Sequence, residues 1–314
     1  MFAAASALSF VACSAEVAES SFDSPLPWHA SEASYEKLDY TVAVYNTEKG
    51  VTDDKRVIVG DGTLSFTLEE GAQNGYTALS MEFSVTYRNE DAAGEDKGLT
   101  DTIRSTVYFE PNSLTASSVN KEVVLATRKG KTNLSYTITA DYFETHKATF
   151  KYTAQDGAKE KTRTLPRDAV RDNEMMFFLA RAQEIGKGSS TTFQMVNLYD
   201  TFNSGELAEY RMVVNGTAES KMDIGDFVKD FGIEAVTDEE SGKTSYPVTC
   251  ITTSLSINAE KHGPSYTVLY AKDAFLQGEA KHNKIPVKIE YSSYNGLDPY
   301  RMTTYTLRAC SITK

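Results

Sequence analysis

"MEFSVTYR", residues 81–88, alternates without a break: Met81, Phe83, Val85 and Tyr87 fall on one parity, Glu82, Ser84, Thr86 and Arg88 on the other. Successive side chains of a strand point to opposite faces. The stretch therefore predicts a strand with one buried and one wet face, as in an antiparallel sheet. The same parity recurs along the chain. Leu38, Tyr40, Val42 and Val44 show it, then Leu64, Phe66 and Leu68. It returns in Leu134, Tyr136, Ile138 and Ala140, and in Ala148, Phe150 and Tyr152. Further runs are Tyr210, Met212 and Val214; Ile251, Leu255 and Ile257; and Ile285, Val287 and Ile289. Turn signals at Asp61-Gly62, Asn74-Gly75, Asp156-Gly157, Asn215-Gly216 and Asn295-Gly296 punctuate the runs, so a meander of ten or more strands is expected.

Two stretches break the period of two. In "DNEMMFFLARAQEIGKG", residues 172–188, Met175, Phe178, Leu179, Ala182 and Ile185 share a helical stripe, with Asp172 as N-cap and Gly186 or Gly188 as the stop. A shorter helix is expected over Asp223 to Gly232, with Ile224, Phe227, Val228 and Phe231 on one face. Both read as faces packed on the sheet. No Pro- or Ser-rich linker divides the chain after Ser34, and no repeat of fixed period emerges, so residues 35–314 read as a single β-rich domain.

The 314 residues carry 44 acidic and 32 basic side chains, a formal charge of −12. That balance opposes binding to a phosphate backbone unless the cations share one face. The densest basic stretches, "TRKGKT" at 127–132 and "KEKTRT" at 159–164, lack interleaved stacking aromatics and read as solvated hairpin ends. No nucleic-acid partner is expected.

At the N-terminus, "MFAAASALSFVA", residues 1–12, is apolar but far shorter than the roughly 20 residues of a spanning helix. It fits the apolar region of a signal peptide. "FVAC" resembles the bacterial lipobox, in which the Cys, here Cys13, is acylated after cleavage; Phe10 stands where Leu is usual. No Lys or Arg precedes Cys13, which departs from the usual signal and predicts a start several residues upstream. Residues 13–34, small, acidic and Pro-containing, read as a flexible tether. The other reading of this region is a buried N-terminal helix with an incidental Cys. Of the remaining thiols, Cys250 and Cys310 are either a disulfide, closing a loop that would stabilise the fold by roughly 4 kcal/mol, or two small apolar residues packed in strands.

Chemistry is sparse. His29, His146, His262 and His282 are scattered without metal-ligand spacing, and no metal or cofactor is expected. No Cys-x-x-Cys, nucleophile elbow or phosphate loop is present. The acidic neighbours Asp53-Asp54, Glu69-Glu70 and "DEES" at 238–241 lie beside turn signals and read as solvated turns. No catalytic residue is assigned.

The order of elements is itself informative. "LTDTIRSTVYFEPNSLTASSV" at 99–119, "TADYFETHKATFKYTA" at 139–154, "DNEMMFFLARA" at 172–182 and "NKIPVKIEY" at 283–291 resemble a family of exported bacterial proteins of unknown function. That family is similar in outline to the lipoprotein carriers LolA and LolB, whose curved antiparallel sheet wraps helices and can shelter acyl chains. The resemblance covers most of residues 36–296; residues 223–232 and 272–283 look like insertions in it. It implies a mainly β fold, a curved antiparallel sheet or half-barrel-like meander with one or two packed helices. It carries over no functional residue. The expectation is a lipid-anchored protein of the bacterial cell envelope, without catalysis, binding an apolar or amphipathic ligand or an envelope partner in its concavity. The alternative is a structural or surface-interaction lipoprotein with no ligand cavity.

Overall fold

The computed structural model describes residues 19–21, 29–30, 35–47, 55–125, 134–142, 146–165, 170–182, 190–257, 265–272, 275–277, 280–282, 284–293 and 300–313. Eight consecutive strands form the first meander: β1 (Tyr35–Thr47), β2 (Val57–Gln73), β3 (Tyr76–Tyr87), β4 (Thr100–Phe109), β5 (Ala116–Leu125), β6 (Leu134–Asp141), β7 (Lys147–Ala154) and β8 (Gly157–Thr164). Helix α1 (Met176–Arg181) follows. The second meander comprises β9 (Ser190–Val196), β10 (Ala208–Asp223), β11 (Pro247–Ile257), β12 (Ser265–Ala271), β13 (Pro286–Ser293) and β14 (Tyr300–Thr313), with helix α2 (Leu198–Ser204) between β9 and β10. The two meanders join in one curved sheet because β14 pairs antiparallel with β1, from Tyr300 opposite Thr47 to Thr313 opposite Tyr35.

The alternation that predicted the sheet decides which face is buried. Leu38, Tyr40, Val42 and Val44 are buried on β1, as are Leu64, Phe66 and Leu68 on β2, and they belong to one apolar core that also takes in Tyr210, Met212, Leu255 and Val287. On the outer face Arg104 lies between Glu82 and Glu122, its Nε 3.8 Å from one and its Nη1 4.0 Å from the other. Such exposed pairs add little stability but keep this face wet.

The sheet is not closed into a barrel. On one side its edge is β8, whose alternating Lys159, Lys161 and Arg163 discourage further pairing. "KEKTRT" is thus an edge strand, where a hairpin end was expected. Arg163 donates to the carbonyls of Phe202 (2.9 and 2.8 Å) and Asn203 (2.5 Å), with Lys161 Nζ above the Phe202 ring at 4.2 Å. These cations sit at the C-terminus of α2, where unpaired carbonyls attract them. Because α2 leaves β9 directly, it links the two sides of the opening. On the other side, β9 pairs in parallel with Glu19–Ser21 and with Arg171–Asp172.

Several expectations need correction. Asn74-Gly75 makes the hairpin expected of it, with φ of 52° and 84°. Asp61-Gly62, in contrast, lies inside β2: a Cβ on Gly62 would come within 1.9 Å of the Ser84 carbonyl, so glycine there permits close approach of two strands. Asn215-Gly216 lies inside β10, where the register with β11 shifts between Val214 and Glu219. That shift also changes parity on β11, so that Cys250, Thr253 and Leu255 are buried and Ile251 is only half-buried. Within residues 13–34, read as a tether, Glu19–Ser21 and His29–Ala30 are strands, the second paired with Ala280–His282. The helix over 172–188 is shorter than expected: Asp172 caps a 3₁₀ turn, Asn173–Met175, that runs into α1. The 223–232 segment is a 3₁₀ helix, Asp226–Phe231, ended by Gly232 in the left-handed region. Cys13, the signal segment, "TRKGKT", Gly186, Gly188, Asn295-Gly296, Asp53-Asp54 and His262 lie outside the described residues.

Helix α1 is fixed on the inner face by a salt bridge that solvent does not reach. Arg181 Nη1 and Nη2 donate to Glu36 Oε1 and Oε2 at 2.7 and 3.0 Å, both side chains being 0% exposed. Replacing Arg181 with Met takes the guanidinium away from the buried Glu36 carboxylate, at an expected cost of about 3–5 kcal/mol. Adding Glu36→Leu should recover most of that loss in urea-denaturation measurements. A double variant no more stable than the single one would contradict this account.

Candidate functional site

The inner parity of the strands is mostly apolar, with polar interruptions on one side. On β4 it reads Asp101, Ile103, Ser105, Val107 and Phe109; on β5, Lys121 stands between Val119 and Val123. Glu174, just before α1, bonds to Ser105 and Lys121 on these strands, and Asn173 beside it in sequence lines the same space. Together they line one end of a cavity of about 310 Å³ in the concavity of the sheet. The remainder is apolar and aromatic, from Leu64 and Phe66 on β2, Met81 and Phe83 on β3, Met176 and Phe177, and Tyr266, Tyr291 and Tyr305 on β12 to β14. Its volume lies at the lower end of small-molecule sites, which run from roughly 300 to 1,000 Å³.

Ring geometry makes the wall. Tyr266 lies 4.8 Å from Tyr291 and meets Phe177 edge-on at 5.4 Å; Phe177 and Phe178 both contact Phe66 edge-on, at 6.1 and 5.6 Å. Burial raises the Tyr266 phenol well above its usual range, and the neighbouring Tyr305 and Tyr291 reinforce the shift. Burial likewise raises Tyr305. These hydroxyls stay protonated at any physiological pH.

At the polar end, Glu174 accepts from Lys121 Nζ at 2.5 Å and from Ser105 Oγ at 2.8 Å. Burial pulls the Lys121 pKa down, but the Glu174 carboxylate more than offsets this and leaves it raised. Behind the wall, Asp172 accepts from the Glu174 backbone N–H at 2.9 Å and from the Tyr142 hydroxyl at 2.7 Å. Burial, then the Glu174 charge, push the Asp172 carboxyl up to about 7.

The sequence pointed to none of these residues as a site. A signal was present: Lys121, Asp101 and Glu36 each occupy the buried parity of an otherwise apolar strand. The residues that the sequence did single out behave differently. Cys250 and Cys310 are free thiols on β11 and β14, with β12 and β13 between them. Three strand spacings amount to roughly 14 Å, twice the Cα separation a disulfide spans. The bridge reading is therefore corrected to the packing one. Burial pushes the Cys250 thiol up to about 12 and raises Cys310 as well, so neither is a nucleophile at neutral pH. His146 is an exposed turn residue at φ 55°, and the backbone register places His29 opposite His282. Among the described residues, no three His, Cys, Asp or Glu side chains group to hold a metal. In "DEES", Asp238 caps its own turn, accepting from Ser241 N and Oγ, both at 2.7 Å. Glu69 and Glu70 lie within β2 and not at a turn.

No protein-family model and no curated protein matches this chain. Among solved structures, it is similar to a β-barrel-like protein of the domain of unknown function DUF1849 from Brucella abortus. The TM-score is 0.54 at 8% identity, over 91% of this chain and 100% of that one. Such identity shows a shared fold and nothing of activity. A DUF1329 family protein from Desulfovibrio piger aligns over 90% of this chain and 87% of its own, at 7% identity and a TM-score of 0.23, too low to carry an argument.

Asp172 supplies a pH signature. Its folded pKa of about 7 exceeds the unfolded 3.8, so the folded state binds more protons between those values. Its contribution to stability is therefore full below about pH 4 and is lost as pH rises towards 7. Asp172→Asn, which keeps an acceptor for Glu174 N, should lose more of its advantage over wild type at pH 5 than at pH 8. Parallel urea curves for the two proteins at both pH values would contradict the assignment.

Proposed function

We propose that this is a non-enzymatic, extracytoplasmic protein, anchored to a bacterial envelope membrane through lipid on Cys13, that holds an apolar or amphipathic ligand within its curved sheet. The observation that carries the reading is the cavity of about 310 Å³ walled by Phe66, Met81, Phe83, Phe177 and tyrosines of the last three strands. A concave space of this volume, with aromatic walls and a few polar groups at one end, has the size and make-up of a small-molecule site. The anchor rests on "FVAC" and the apolar segment before it. The carrier analogy with LolA and LolB is part of this proposal.

One observation favours this reading over a purely structural or surface-interaction role. Such a role calls for a large exposed apolar patch. The exposed large apolar residues among the described ones, Val57, Val124, Tyr199 and Val236, lie on four separate elements.

The test has two arms. Protein recovered from membranes of its host should give an N-terminal peptide beginning at acylated Cys13; retention of residues 1–12 would overturn the anchor. The neutral fluorescent probe N-phenylnaphthylamine should bind the purified protein saturably. Thr303→Trp, which fills the cavity from β14, should weaken that binding at least ten-fold, while Thr106→Trp on the outer face leaves it unchanged. Equal effects of the two, in proteins with matching circular dichroism, would overturn the site.

A further inference from the structure

Three hydroxyls in the cavity wall are left unused by the fold. Tyr266, Tyr291 and Tyr305 line the space from three adjacent strands, Tyr266 directly opposite Tyr291 in the register of β12 and β13. Among the described residues, none of these hydroxyls meets a hydrogen-bond partner. The pKa shifts of Tyr291 and Tyr305 agree, since burial and neighbouring phenols cause them and no hydrogen bond contributes. The Tyr210 hydroxyl is sealed from solvent; the three cavity hydroxyls are not, and their rings are only half-buried.

A phenol is a strong donor and a weak acceptor, because its ring draws on the oxygen lone pair. Burial raises all three pKa values, so each hydroxyl keeps its proton at neutral pH and can donate it. With the cavity open to solvent, each donates to water. A hydrocarbon ligand would displace that water and leave the donors unmatched, whereas an acceptor oxygen facing β12 to β14 replaces it. Charge narrows the choice of acceptor. Lys121 is held on Glu174, and the Glu174 and Asp101 carboxylates that line the cavity oppose an anionic one. An ammonium has no lone pair to offer. A neutral carbonyl presents two lone pairs to several donors at once and buries no new charge.

We infer that the tyrosine wall selects apolar ligands carrying a neutral carbonyl oxygen, a ketone or an ester, over hydrocarbons of the same shape, with Tyr266, Tyr291 and Tyr305 as the residues that determine the choice. This rests on the ligand-binding reading above and specifies its ligand class.

Two bicyclic compounds that differ by one carbonyl, α-tetralone and tetralin, test it through displacement of N-phenylnaphthylamine. Tetralin is the more hydrophobic, so burial alone favours it. In the wild type α-tetralone should nevertheless displace the probe at the lower concentration. Combining Tyr266→Phe, Tyr291→Phe and Tyr305→Phe should raise the α-tetralone concentration required at least ten-fold and leave that of tetralin within two-fold. Tyr199→Phe, on an exposed ring of α2 outside the cavity, should change neither. Because the three hydroxyls bond to no described part of the fold, the triple variant should be no less stable than the wild type in urea. A loss of stability would assign them to the fold and refute the inference. Tetralone that displaces no better than tetralin in the wild type, or keeps its advantage in the triple variant, refutes the selectivity while ligand binding stands. If the probe does not bind the wild type, the ligand-binding reading falls and this inference falls with it.

Discussion

The Glu36–Arg181 pair is the contact on which the interior depends. Buried ion pairs seldom add net stability, because two desolvation penalties offset the attraction; they discriminate strongly, however, against arrangements that leave one partner alone. Here the partners lie 145 residues apart, one on the first long strand and the other at the end of α1. Their pairing holds the helix at one height and rotation against the sheet. Lys284 Nζ and the Tyr270 hydroxyl add to the constraint by donating to the carbonyls of Arg181 and Phe177, at 3.1 and 3.2 Å. With α1 held, Phe177 and Phe178 reach Phe66, and Glu174 comes to rest between Ser105 on β4 and Lys121 on β5.

The same interior shows what the sequence disclosed and what it withheld. Parity was legible because each strand repeats it several times, so β1, β2 and β13 follow from their own residues. Irregularities that belong to two strands at once were not. Gly62 looks like half of a turn until Val85 is known to lie across from it, with the Ser84 carbonyl where a Cβ would go, and the change of face on β11 comes from an extra stretch in β10. Helix α2 was missed altogether: "LYDTFNS" has no long stripe, and its hold comes from Arg163 on a strand far behind it in sequence. Lys121 was visible as an anomaly of parity, but its partner Glu174 is 53 residues away, and only the fold brings them together.

The cavity follows from the residues asked to fill that space. Tyrosine rings are rigid and carry a hydroxyl that resists full packing. Tyr266, Tyr291 and Tyr305 on three adjacent strands meet Phe83 and Phe177 at ring-to-ring distances rather than by interdigitation. The ion pair at the far end occupies volume that an aliphatic core would have closed. The inner face is thus divided between an aliphatic part, dense around Val42, Leu68 and Val287, and an aromatic-polar part that is not.

The seam between β1 and β14 has a consequence for how the chain acquires this structure. Tyr35 and Thr313 are hydrogen-bonding neighbours in the middle of a sheet, so the widest sequence separation in the fold is also one of its longest pairings. Closing so large a loop is slow, and nothing along β1 rewards it until β14 arrives. Until β14 docks, β1 keeps an open, hydrophobic edge, which exposes the partly folded chain to mispairing and aggregation. The pairing of β14 with β1 removes that edge and the hazard together.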